Sequence, residues 1–157
     1  MAFNFSDFQK NMSELVDDAS KKVRQYTPDS FSKEKQFVNA IVASLALMIL
    51  ADKKAETSEV VKALDIIKSL DEVKELQMQK EAIELFEMHI EKLSSVMENE
   101  MKFVLESSKL IADIVKIKDS SEYIIPLKSI IDFIANSDGD ISKEELEMKD
   151  RILSELA

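Results

Sequence analysis

The sequence predicts an all-α, single-domain bundle of about seven helices, and three observations carry that reading. The composition is 45% apolar and rich in Leu, Ile, Met, Glu and Lys, with one Gly and two Pro in 157 residues, a balance that favours helices over sheets and long loops. Apolar residues recur at three- and four-residue spacing through nearly every segment, the mark of helices with one buried face. The breaks between segments are short and begin with Ser, Thr or Asp, which cap helix N-termini. A chain of this length buries about 70% of its unfolded surface as one domain. Residues 1–27 read as an N-terminal amphipathic helix and 30–157 as the core bundle.

Ser6 caps the first helix, which runs to about Tyr26 with Phe8, Met12, Leu15, Ala19 and Val23 on one stripe. Thr27-Pro28-Asp29-Ser30 ends it, because the residue before proline is pushed out of the α region. The second helix starts near Ser30 or Ser32 and reaches Ala51. From Gln36 to Ala51 it carries no charge and is apolar almost all round, which demands neighbours on several sides. At about 1.5 Å per residue this stretch spans roughly 24 Å, short of the roughly 30 Å hydrocarbon core of a bilayer, so it reads as the central buried helix.

Asp52-Lys53-Lys54-Ala55-Glu56 is a polar turn, and Thr57 or Ser58 opens a third helix with Val60, Val61, Leu64 and Ile67 inward. A weak break near Leu70-Asp71 precedes a fourth helix over about Lys74 to Leu93. A fifth covers about Met97 to Ile117, and Ser94-Ser95 either separates these two or lies within one long helix. Asp119-Ser120-Ser121 caps the sixth, where Pro126 removes one N–H bond and predicts a kink. The seventh carries the chain to its end.

Charge narrows the function. There are 31 acidic and 21 basic residues, a net −10 at pH 7, and a field of that sign repels phosphate backbones and excludes nucleic acid as a partner. Cations and basic protein surfaces gain from it. One glycine excludes glycine-rich phosphate loops, and the lack of cysteine excludes thiolate chemistry and fits a reducing compartment. No apolar core follows a basic start, so no signal peptide is expected. No nucleophile–base pair or cofactor motif accompanies the carboxylates, and no enzyme is predicted.

The most informative stretch is Asn136-Ser137-Asp138-Gly139-Asp140-Ile141-Ser142-Lys143-Glu144-Glu145. Apolar helical patterns flank it on both sides. Gly139 supplies the positive φ that a tight interhelical turn needs, and Ser142 with Glu145 forms a capping box. Asp138, Asp140, Ser142, Glu144 and Glu145 crowd hard oxygen ligands onto the turn, which suits calcium and, second, magnesium. An EF-hand register would place ligands at Ile134 and Asn136, and isoleucine cannot ligate a metal, so a standard EF-hand is not expected.

The turn has a counterpart upstream. In both Asp52…Glu59 and Asp138…Glu145 an apolar helix ends near an aspartate, and a glutamate follows seven residues later inside a new helix. Asp138 follows Asp52 at the same interval at which Glu145 follows Glu59. Two helix–turn–helix units related by a pseudo-two-fold, each donating one Asp and one Glu, account for this.

On these residues the chain resembles the tellurite-resistance protein TerB family, whose repeated helix–"A-x-S-D-G…E"–helix pattern is matched by Ala135-Asn136-Ser137-Asp138-Gly139 through Glu145. A degraded copy runs from Ala51-Asp52-Lys53-Lys54 through Glu59, with Lys53 where the family has glycine. The phenylalanine-bearing N-terminal helix is also similar. The resemblance implies an all-α bundle whose acidic turns face each other and bind a divalent cation, calcium first and magnesium second. The implied ligands are Asp138, Glu145, Asp52 and Glu59, with Asp140 beside them. It further implies a bacterial cytoplasmic interaction protein of tellurite or stress resistance, working with other proteins in an assembly at the inner membrane face. Two rival readings stay open: a metal-free acidic scaffold or co-chaperone-type domain, and a degenerate EF-hand-like calcium sensor.

Other polar residues read as structural. His89, the one histidine, lies at the edge of an apolar stripe with no His or Cys at zinc-ligand spacing. The methionines fill core gaps. Glu87–Glu91–Lys92 and Glu144–Glu147–Lys149 read as solvated helix surface.

Overall fold

The computed structural model describes residues 31–53, 57–136 and 142–157. Within them the chain forms seven helices and no strand: α1 (Lys33–Ile49), α2 (Thr57–Ser69), α3 (Asp71–Glu75), α4 (Gln79–Ser95), α5 (Glu100–Val115), α6 (Ser121–Asn136) and α7 (Lys143–Glu155). The expected helix over Ser6–Tyr26 lies outside the described residues.

α1 is the hub. Ser32 caps it by accepting a hydrogen bond from Lys35 N at 3.2 Å, and every residue from Phe37 to Ile49 is buried. Its long apolar run leaves no face for water, so α2, α4, α5, α6 and α7 all pack against it. Burying each Leu, Ile or Phe of this run contributes about 1.5–3 kcal/mol. The one hydroxyl at the centre, Ser44, is satisfied locally by donating to Ala40 O at 2.7 Å.

Polar and aromatic contacts fix the register of the neighbours. Tyr123 at the start of α6 stacks on Phe37 of α1, with ring centroids 4.6 Å apart and 23° between planes. α6 and α7 are joined by Lys149 Nζ to Asp132 Oδ1 at 2.8 Å. Lys149 is only 14% exposed, so it belongs to the packing between these helices and not to the solvated surface its sequence neighbours predict.

Two boundaries differ from the sequence reading. The expected helix from Lys74 to Leu93 is split into α3 and α4, because Gln77 adopts a φ of 55° and a left-handed residue cannot continue a right-handed helix. Gln77 N then donates to Lys74 O, and Met78 N donates to Val73 O, closing α3 in the way helix C-termini close. Ser94-Ser95 is the last turn of α4 and not a break. α5 starts after it, capped by Asn99 Oδ1 accepting from Lys102 N at 3.1 Å. Pro126 sits inside α6 and the helix continues through it, so the proline does not end the element. No helix of the described residues is long and apolar enough to cross a membrane.

Candidate functional site

α2 and α7 each present a first-turn glutamate to one cavity over the C-terminal part of α1. Glu59 is the third residue of α2 and Glu145 the third residue of α7. Ser142 sets the second of these: in extended conformation, with φ −70° and ψ 160°, it accepts from Glu145 N at 3.1 Å. That bond is the forward half of the expected capping box. A carboxylate in the first turn lies at the positive end of the helix dipole, which favours its charged form.

Glu59 and Glu145 line one cavity. Leu45, Met48 and Ile49 of α1 form its floor, Ala63 and Ile66 of α2 and Ile134 of α6 its walls, and Lys62 of α2 completes the rim. The cavity holds about 30 Å³, where a single water needs at least roughly 10–15 Å³. That is room for an ion or one or two waters, and far too little for an organic substrate. Two hard carboxylates over an apolar floor suit a divalent cation that keeps some of its waters; calcium, wanting six to eight oxygens, needs more donors than these two.

The remaining predicted ligands fall in different places. Asp138, Asp140 and the positive φ expected of Gly139 lie outside the described residues. Asp52 is half-buried in the turn after α1 and is not among the residues lining the cavity. Among the described residues no group of three or more His, Cys, Asp or Glu side chains converges as a metal cluster. Among the described residues, Glu59 and Glu145 are the predicted carboxylates that line this cavity. Ile134 is buried in the cavity wall, and Asn136 is still helical, so the first half of an EF-hand loop has no place here.

Lys53, at the family's glycine position, has a φ of 58°. The first turn thus adopts the left-handed conformation that a glycine would take, at a cost of about 1 kcal/mol for a residue with a Cβ. Its ammonium lies 5.5 Å from the centroid of the Phe103 ring of α5, a cation–π distance. It is directed at α5, whereas Lys62 lines the cavity. Sequence reading passed over Lys62; its spacing of three from Glu59 was the available signal.

Two further residues depart from expectation. His89 is fully buried, not at an edge, and its Nε2 donates to Asn39 Oδ1 of α1 at 2.7 Å. Burial first, and Lys92 second, push its pKa down to about 3, so the ring stays neutral and ties α4 to α1. Glu87 is 4% exposed rather than solvated, and neither carboxyl oxygen has a hydrogen-bond partner. Burial, then Glu84 and Glu91, push its pKa up to about 7. The sequence pattern failed there because α4 is enclosed all round from Leu85 to Ile90.

The chain matches no protein-family model, no curated protein and no solved structure.

Proposed function

We propose that this chain is a divalent-cation-binding helical module of the TerB type, which acts through other proteins in tellurite or stress resistance and carries out no chemistry of its own. One observation carries the reading. Glu59 and Glu145 occupy the same position in two helices that follow two similar acidic turns, and they line one ion-sized cavity. A pair of carboxylates brought together over apolar side chains repel each other, and a bound cation removes that repulsion. Glu59 and Glu145 are the proposed ligands that line the cavity, and Asp52, Asp138 and Asp140 are the further ligands the sequence pattern proposes. When bound, the cation supplies charge neutralisation and a bridge between the starts of α2 and α7. Calcium is the first candidate and magnesium the second, and the proposed setting is the cytoplasm, at the inner face of a membrane.

The interaction half of the proposal has its own support. Met101, Val104 and Leu105 are 74%, 51% and 55% exposed and lie at i, i+3 and i+4 on one face of α5. An exposed apolar stripe of that spacing suits the apolar face of a partner helix. It also favours the rival reading, an acidic scaffold that needs no metal. Calorimetric titration of chelator-treated protein with calcium and with magnesium separates the two. Saturable binding that Glu145→Gln weakens at least tenfold supports the cation site. Absence of heat with both ions leaves the scaffold.

A further inference from the structure

We propose that the exposed apolar face of α5 is covered in cis by the chain's own N-terminal stripe, Phe8, Met12, Leu15 and Ala19, which a partner helix must displace. The inference shares with the reading above only the α5 docking face and is independent of the cation site. Met101, Val104 and Leu105 are 74%, 51% and 55% exposed, and no other described helix carries three exposed large hydrophobics. Ser108 and Ala112 continue that face for two more turns without a charge.

Topology brings the N-terminal segment to this face. The Lys53 ammonium over the Phe103 ring puts the start of α5 beside the end of α1. The Phe37–Tyr123 stack puts the start of α6, which follows α5 by a short turn, beside the start of α1. α5 therefore runs antiparallel to α1. Phe31, where the N-terminal segment joins the described residues, lies at the end of the bundle where α5 finishes. The six residues 27–32 reach up to about 20 Å, roughly two helix diameters. A helix over residues 6–26 is about 30 Å long, against about 21 Å from Met101 to Val115. Turned back at Pro28, it runs parallel to α5 and is long enough to reach Met101.

Charge selects the same direction. Lys102 follows Met101 by one residue and Lys109 follows Ser108 by one, so both lysines stand on one edge of the α5 face. Asp7, Glu14 and Asp18 each precede a stripe residue by one and stand on the edge of opposite hand. Edges of opposite hand meet in a parallel helix pair, and the shared seven-residue interval lets Asp7 face Lys102 while Glu14 faces Lys109. Lys109 is 71% exposed, and its pairing with Glu106 at 3.4 Å is a surface contact that restrains it weakly. A second copy docked antiparallel through the same face would set lysine against lysine.

The chain has no cysteine, so one introduced thiol reports on the face. The test follows the reaction of Val104→Cys with a thiol reagent in the full chain, over a range of protein concentrations, with the exposed Glu75→Cys as control. Val104→Cys is expected to react at least about tenfold more slowly than the control, at a rate independent of protein concentration. Adding Leu15→Asp should remove most of that protection, and so should Glu14→Lys. Adding Lys109→Glu to Glu14→Lys should restore it, which general loosening of the chain would not do. Protection that grows with protein concentration would mean that a second copy covers the face, and overturns the proposal. Fast reaction of Val104→Cys at every concentration, or protection that survives both Leu15→Asp and Glu14→Lys, also overturns it. None of these outcomes depends on whether calcium or magnesium binds, so the proposal and the cation site stand or fall separately.

Discussion

At the scale of single residues, the least expected side chain is Glu87. Its carboxyl is buried with no hydrogen-bond partner, which penalises the charged form, and its pKa rises to about 7 from 4.5. Between those values the folded protein holds a proton that the unfolded chain has lost. Stability from this group is therefore complete below about pH 4.5, declines as pH rises towards 7, and is flat beyond. Glu87→Gln removes the titration and keeps the shape. Relative to wild type, the variant should gain nothing near pH 4.5 and about 3 kcal/mol at pH 8, taking 1.36 kcal/mol per pKa unit. Urea unfolding of both proteins at the two pH values checks this, and a difference that does not change with pH would mean that Glu87 reaches water. The sequence places Glu87 on the surface because Glu87, Glu91 and Lys92 read as a charged, solvated helix face. Periodicity finds the face a helix turns to its first neighbour and is silent about neighbours on its other sides. His89 was misplaced in the same way, at an edge instead of in the interior.

At the scale of elements, the joints between helices divide the legible from the illegible. Ser32, Asn99 and Ser142 cap their helices through side-chain oxygens, and caps of this kind are written in local sequence. The split between α3 and α4 was not, because Gln77 takes a left-handed φ without the glycine or asparagine that usually announces one. Lys53 presents the same geometry inside the first acidic turn, where the second turn has Gly139. Lys53→Gly should therefore relieve left-handed strain, a gain of about 1 kcal/mol, offset in part by the lost contact with the Phe103 ring and by glycine's freedom in the unfolded chain. The expected net change is between zero and +1 kcal/mol. Thermal unfolding measures it, and a loss above about 1 kcal/mol would show that the ammonium–ring contact outweighs the strain.

Taken whole, the molecule is a bundle wrapped round one helix. That much was readable, because a charge-free stretch from Gln36 to Ala51 has no stable place except inside, and Phe37 to Leu50 is indeed buried throughout. Leu45→Ala should cost about 2–5 kcal/mol by lost transfer energy and a residual cavity. A denaturation midpoint that barely moves would contradict the central place of α1. Equal spacing in the two turns singled out Glu59 and Glu145, and both line one cavity. The cavity itself was not readable, since its floor comes from α1 and its rim from Lys62, and only the packing of α2, α6 and α7 on α1 creates it. The proposed function turns on these two carboxylates holding a cation. It is tested most directly by thermal unfolding of chelator-treated protein with and without millimolar calcium, comparing wild type with Glu145→Gln and with the exposed control Glu75→Gln. A ligand that binds only the folded state stabilises it by about 2.7 kcal/mol at a hundredfold excess over its dissociation constant. Wild type and Glu75→Gln should show a rise in melting temperature on that scale, and Glu145→Gln should lose most of it. No shift with calcium or magnesium, or a full shift that survives Glu145→Gln, would contradict the claim.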